Sequence, residues 1–220
     1  RLTMAHFLVI AASSGIGSAV TTQLRSEGHA VFTTARDGSK ITPDAQLDAT
    51  DFDAVDAVFQ KAIAQNGKLD GVVNCSGSLL LRSAHLTTKA QFQSVLDASL
   101  VTAFATVRAA GKVMTDGGSV VLVSSAAAME GLSNHEAIAA AKAGVIGLML
   151  SSAATYAPQN LRFNAVAPGL TQTPMTSQLT ANETSRKFSE NMHALGRLGK
   201  PEDIARAICF LLNTANDWIT

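Results

Sequence analysis

Short apolar runs alternate with longer amphipathic stretches along this chain. Phe7-Leu8-Val9-Ile10 is the first run, and it ends in a small, glycine-bearing segment, Ala11 to Gly17, after which a helical spacing continues to about Glu27. Ala30 to Thr34 is a second run of β-formers, and Ala45 to Leu47 a short third. From Asp51 to Gln65, the residues Phe52, Val55, Val58, Phe59 and Ile63 fall on one stripe at helical spacing. Leu69 to Val73 predicts a strand, Lys89 to about Met114 a long helix, and Ser119 to Val123 a strand behind the turn pair Gly117-Gly118. Ser133-Asn134-His135-Glu136 has capping-box spacing and predicts a helix from there to Tyr156, before Pro158. Leu161 to Val166 follows as a strand, and Pro201 opens a final helix, Glu202 to Leu212. Strand–helix alternation repeated this often predicts an α/β fold, a doubly wound parallel sheet covered on both faces. No repeat, low-complexity tract or linker interrupts it, so residues 1–220 read as one domain. Thr171 to Leu198 is polar and irregular, and its place after a strand's carboxyl end suits a substrate-covering segment.

Composition narrows the function classes. The 220 residues carry 17 basic and 17 acidic side chains, for zero formal charge, so no electrostatic argument favours nucleic acid or an anionic membrane. Charged residues make up 15% and hydrophobic ones 47%, the opposite of a disordered chain. No apolar stretch approaches the roughly 18–20 residues of a membrane span, and no basic-then-apolar leader opens the sequence. Cys75 and Cys209 are too few and too far apart for a disulfide framework or a zinc site, and read as buried small hydrophobes. These features predict a soluble, cytoplasmic protein without a metal.

Candidate chemistry begins where the first strand meets the first helix. Ala11-Ala12-Ser13-Ser14-Gly15-Ile16-Gly17 sits where glycines let the backbone approach a pyrophosphate and a helix amino terminus offers free N–H groups. With this segment in view, the order of elements and motifs resembles the short-chain dehydrogenase/reductase family over essentially the whole chain. That family opens with Thr-Gly-x-x-x-Gly-x-Gly. Gly15 and Gly17 match, while Ile10 and Ala11 replace the first two residues, which predicts a slightly shifted loop that still binds. Leu47-Asp48-Ala49 resembles the adenine-contacting Asp-Val, and Asn74-Cys75-Ser76-Gly77 resembles Asn-Asn-Ala-Gly. Asn164-Ala165-Val166-Ala167-Pro168-Gly169, with Thr171 and Thr173, resembles the stretch that frames the nicotinamide, and Gly199-Lys200-Pro201-Glu202-Asp203-Ile204-Ala205 the late helix start. The resemblance implies cofactor contacts at Ala11, Ser13, Ser14, Gly15, Ile16, Gly17, Asp48, Ala49, Asn74, Ser76, Gly77, Pro168, Gly169, Thr171 and Thr173. Two departures concern architecture. Only eleven residues separate Arg36 from Asp48, so the usual second helix is predicted to be absent or reduced. The sequence also stops at Trp218-Ile219-Thr220, where relatives continue into a last strand, which predicts a sheet lacking that strand.

The residue ending the second strand, acidic in NAD-binding relatives, is Ala35, with Arg36 next. Losing a carboxylate and gaining a guanidinium favours a 2′-phosphate, hence NADP(H) over NAD(H), with Ser13 and Thr34 as further donors. The catalytic pattern of the family is a serine, a Tyr-x-x-x-Lys pair and an upstream asparagine. Ser125 and Lys142 match; the tyrosine position holds Ile138 and the asparagine position Ser99. Tyr156, the single tyrosine, lies fourteen residues past Lys142, about 21 Å along a helix, and cannot substitute. His135 precedes Lys142 by seven residues, a spacing that resembles the tyrosine of the related enoyl reductases, and is either the relocated acid or simply exposed. Glu136 reads as the capping-box partner. The resemblance therefore implies an NADP(H)-dependent oxidoreductase with altered proton delivery, acting on a small carbonyl or activated alkene. The alternative is a nucleotide-binding protein without turnover, regulatory or structural. It also implies a dimer or tetramer built on the two long helices, with Ala98, Ala103, Ala140, Ala143, Gly144 and Gly147 permitting close packing.

Overall fold

Each buried strand of the computed structural model, which describes residues 4–220, carries apolar side chains on both sides, as a sheet sandwiched between helices requires. Strand β1 (His6–Ile10) sends Phe7 and Val9 to one face and Leu8 and Ile10 to the other. Its neighbours are β2 (Ala30–Ala35) on one side and β4 (Gly71–Asn74) on the other. With β3 (Ala45–Gln46), β5 (Gly118–Val123) and β6 (Leu161–Val166) the order is β3-β2-β1-β4-β5-β6, all parallel. The chain thus leaves β1 first to one side and later to the other, so the carboxyl ends of β1 and β4 border the crevice in which such sheets bind ligands.

Helices α1 (Gly15–Ser26) and α7 (Pro201–Leu212) cover one face, burying Val20, Leu24, Ile208 and Leu212 against Phe7, Val9, Val73 and Val121. The other face receives α2 (Phe52–Asn66), α4 (Thr102–Val113) and α5 (Glu136–Tyr156), around Phe59, Leu122 and Phe163. Tyr156 packs on Phe163 at 5.4 Å, and a Cβ on Gly111 of α4 would strike its ring, so this tyrosine is a packing residue. No helix lies between β2 and β3 among the described residues; residues 36–44 form turns, and Asp44 accepts from both the N–H (2.8 Å) and the hydroxyl (2.7 Å) of Thr33, clamping the loop to the sheet. Strand β6 forms the other edge, along which Thr220 accepts from the Phe163 N–H at 3.2 Å.

Four expectations need correction. The long helix after β4 is interrupted: α3 (Lys89–Leu96) passes through a π-turn, Asp97–Val101, before α4, and Ser99 lies buried in that wider turn. The segment at 171–198 is not wholly irregular, because Asn182 caps α6 (Glu183–Asn191) through its side chain. There is no capping box at Ser133. Asn134 adopts φ +61°, its carbonyl accepts from Arg82 N–H, and α5 starts only at Glu136 with His135 at the cap position. Glu136 instead reaches Ala84 N–H, at 3.4 Å. Finally, α5 and its extension, Glu136–Gln159, are long and apolar enough to cross a membrane by length and composition, contrary to the expectation that no stretch approaches a span. One face of α5 packs on β5, β6 and α4, while Ala140, Ala143, Gly147 and Leu150 are exposed. Two of the small residues expected at a helix interface turn inward: Ala103 is buried, and Gly144 sits against Leu100 of the same chain.

Candidate functional site

The phosphate-binding segment is a strand-to-helix turn held by its own backbone. Ala12 N–H donates to Thr34 O at 2.8 Å, Ser14 N–H to Ala11 O at 3.0 Å, and the Ser14 hydroxyl caps α1 by accepting from Gly17 N–H at 3.0 Å. The first N–H groups of α1, on Gly15 and Ile16, have no intrahelical acceptor and sit at the positive end of the helix dipole. Two glycines are required by space. A Cβ on Gly17 would run into Ala11 O, and one on Gly15 would stand 2.8 Å from Thr173 Cγ2. Ala11 holds φ +60°, a left-handed conformation that favours glycine. The alanine at this position is therefore held in a strained backbone conformation. Thr173 over Gly15 and the buried Thr171, whose hydroxyl donates to Gly169 O at 3.2 Å, bring the stretch after β6 against this turn. A groove of about 450 Å³ flanks it between α1 and α7, lined in part by Ser13, Ser14, Gly15 and Pro174. A second groove, of about 530 Å³, opens at the amino ends of the strands beside Asp70, Arg162 and Trp218, away from every predicted site residue.

Arg36 is exposed past the end of β2, and among the described residues no carboxylate pairs with it within 4.0 Å. Asp48 is less free. Its carboxylate accepts from the hydroxyl (2.7 Å) and N–H (3.0 Å) of Thr50, and these bonds hold it below the usual carboxylate range. Ala49 stands beside it, half-buried. Asn74 is spent on the fold: its amide donates to Thr106 Oγ1 at 3.0 Å and its oxygen accepts from Ser76 N–H at 2.8 Å, locking β4 to α4.

Lys142 is the electrostatic centre. Only 6% exposed, its Nζ donates to Val123 O at 2.7 Å and lies where a Cβ on Gly77 would be 3.3 Å away, between the ends of β4 and β5. Burial pushes its pKa down to about 8. The neighbouring Cys75 thiol is pushed up to about 12 by burial, so it supplies no counter-charge at neutral pH. Ser124 ties the backbone here, donating to Lys142 O at 2.8 Å, and Ala126 N–H donates to Pro168 O at 2.9 Å. Ser125 Oγ accepts from Ala127 N–H at 3.2 Å, which leaves its own proton free to donate. Ile138, one turn before Lys142, is 4% exposed in an apolar cluster with Val95, Ala137 and Ala141. His135 is partly exposed, its Nδ1 2.8 Å from Ser133 O, and no hydrogen bond links it to Ser125 or Lys142. Among the described residues, the hydroxyls of Thr34, Ser78 and Ser99 are buried without hydrogen-bond partners.

Sequence reasoning missed two residues. His193 accepts from Leu170 N–H at 3.0 Å, and Thr176 Oγ1 accepts from Thr173 N–H at 3.0 Å while donating to Thr171 O. Both lie in the stretch read as irregular, where no periodicity pointed to them.

The family model described as enoyl-(acyl carrier protein) reductase matches residues 10–220. The chain is 34% identical to the 3-oxoacyl-[acyl-carrier-protein] reductase FabG of Thermotoga maritima, covering 97% of this chain and 92% of that one. It is also 34% identical to the cis-4-hydroxycyclohexanecarboxylate dehydrogenase of Sinomonas cyclohexanicum, over 96% and 90%. Among solved structures, ElxO with NADP bound superposes with a TM-score of 0.91 at 27% identity, over 99% of this chain and 95% of that one. The ligand-free aldohexose dehydrogenase of Thermoplasma acidophilum also gives 0.91 at 27% identity, over 99% and 90%. Turn, sheet order and sequence agree: the chain belongs to the short-chain dehydrogenase/reductase family of oxidoreductases.

Proposed function

We propose that this chain is an NADP(H)-dependent oxidoreductase that reduces a small activated alkene, in preference to a simple ketone, without a tyrosine acid. The observation that carries the reading is Ile138: the side chain one turn before the buried Lys142 is apolar and packed, so no proton donor stands there. Arg36, exposed and free of a carboxylate partner, supports recognition of a 2′-phosphate, and the NADP held by the structural relative ElxO supports the same cofactor. The glycine turn fits a pyrophosphate, because Gly15 and Gly17 carry no side chain to block close approach and the first N–H groups of α1 have no intrahelical acceptor. NADPH, when bound, supplies the hydride. Lys142 would hold the ribose hydroxyls with the two ammonium protons that Val123 does not use. Ser125 would donate its free proton to the substrate oxygen.

A ketone reduced here would become an alkoxide with no acid beside it. Conjugate reduction places negative charge on an enolate, which Ser125 can hold while the proton arrives at carbon from water or His135. With Nδ1–H donating to Ser133 O, His135 carries a second proton, on Nε2, for that transfer only in its imidazolium form. Segment 171–198, tied to the glycine turn by Thr173, would cover the substrate within a single domain. The unpartnered apolar stripe of Ala140, Ala143, Gly147 and Leu150 supports self-association into a dimer or tetramer, and two free buried cysteines accord with a reducing, cytoplasmic setting.

The replacement of two family catalytic groups, by Ile138 and Ser99, favours a second reading, a nucleotide-binding subunit without turnover. Nicotinamide absorbance decides between them. NADPH is mixed with ketones, aldehydes and activated alkenes, alongside His135→Ala. Turnover on alkenes is expected; its loss in His135→Ala would assign the proton to His135. NADPH binding without turnover on any class would replace the first reading with the second.

A further inference from the structure

We propose that His193 is the positioning residue of this nucleotide site, a clasp that ties helix α6 to the Gly169-Leu170 stretch framing the nicotinamide. The inference rests on the nucleotide-binding reading above. Helix α6 buries none of its residues, so packing does not fix it. The His193 ring does. Its Nε2 accepts from Leu170 N–H at 3.0 Å, and since a backbone N–H can only donate, Nε2 is the lone-pair nitrogen. The proton is therefore on Nδ1, which donates to Ser189 O at 2.8 Å, within α6 itself. Both ring nitrogens are engaged, one toward the helix and one toward the loop.

Gly169 lies directly beneath the ring. A Cβ there would stand 2.5 Å from Nε2, so the contact requires glycine at the position adjoining the nicotinamide stretch. Leu170 is gripped on both backbone groups: its carbonyl accepts from Gly199 N–H at 3.0 Å at the root of the excursion, and its N–H reaches His193 at the far end. The connection continues through Thr171, which accepts from Thr176, to Thr173 over Gly15. The position of α6 is thereby passed first to the nicotinamide end of the site, through Leu170, and only indirectly toward the glycine turn. Were the clasp open, the Leu170 N–H would lose its acceptor, and with it the one side-chain hydrogen bond, among the described residues, between this loop and the end of α6.

The test uses the full chain with His193→Leu, which removes both nitrogens, and His193→Gln, whose Oε1 can accept from Leu170 N–H. Hydrogen exchange at Leu170 is measured in the free protein, and affinity is measured for NADPH and for 2′,5′-ADP, which lacks the nicotinamide. The Leu variant is expected to speed Leu170 exchange and weaken NADPH binding about fivefold, the loss of one hydrogen bond, with 2′,5′-ADP changed less than about twofold. The Gln variant should recover most of both effects. Unchanged Leu170 exchange in His193→Leu, equal weakening toward both nucleotides, or no recovery with Gln would overturn the proposal. Failure of the underlying reading has a different signature: wild type binds neither nucleotide while Leu170 exchange still responds to His193, leaving the clasp a contact of the fold without a role in binding.

Discussion

Lys142→Met should make this protein more stable at neutral pH, and the gain should vanish in alkali. Burial lowers the Lys142 pKa from 10.5 in an exposed chain to about 8, and among the described residues its ammonium donates to Val123 O alone. Between these two values the folded protein has released a proton that the unfolded chain still binds, so this group makes stability rise as pH climbs from 8 to 10.5. Below pH 8 the full penalty applies, about 3 kcal/mol as an order of magnitude. Methionine keeps the apolar stem and drops the ammonium, at the loss of a hydrogen bond worth about 1 kcal/mol, for a net gain of about 2 kcal/mol. Urea denaturation of both proteins between pH 7 and pH 10.5 measures the difference directly; the alkaline titrations of Cys75 and Cys209 occur in both and largely cancel. A methionine variant less stable than wild type at pH 7, or a difference independent of pH, would refute the reasoning. The same variant should lose NADPH affinity, because the strained ammonium is the group proposed to meet the ribose. Wild-type binding at pH 8–9 should accordingly take up a fraction of a proton, visible as buffer-dependent heats.

Other perturbations read single features. Ala11→Gly relieves a left-handed alanine worth about 1–2 kcal/mol and returns roughly 0.4–1 kcal/mol of unfolded-state entropy, so a net stabilisation of about 0.5–1 kcal/mol is expected in denaturant titration. Destabilisation would mean the loop does not hold that conformation in solution. Arg36→Ala should weaken NADPH about ten- to a hundredfold, the range for hydrogen bonds to a charged group, and leave NADH nearly unchanged; equal effects on both would remove Arg36 from the 2′-phosphate site. Leu150→Glu puts a charge in the exposed stripe of α5 and should convert a light-scattering dimer or tetramer to monomer, whereas a wild-type monomer at micromolar concentration would defeat the interface.

The sheet was legible because its strands are short, buried on both faces and punctuated by glycine or proline, and the strands and helices read from sequence lie within a few residues of those observed. What escaped reading was set by contacts between distant segments. The capping box at Ser133 failed because Arg82 claims the Asn134 carbonyl, and a loop from elsewhere in the chain overrode a local rule. The π-turn at Ser99 has no period of its own, and His193 carries its meaning only once Gly169 and Leu170 are beneath it. Among the four catalytic positions that the family resemblance implies, what matches and what departs divide along a physical line. Lys142 and Ser125, which match, are the groups proposed to hold or orient nucleotide and substrate. The two departures, Ile138 and Ser99, fall on groups that deliver or relay protons. An unused site would be free to lose either kind, and Lys142 first of all, since burying its ammonium destabilises the fold. That Lys142 remains buried while the neighbouring proton donor is an isoleucine argues for a site still built to grip a nucleotide, with the proton left to the substrate's own chemistry, to water or to His135.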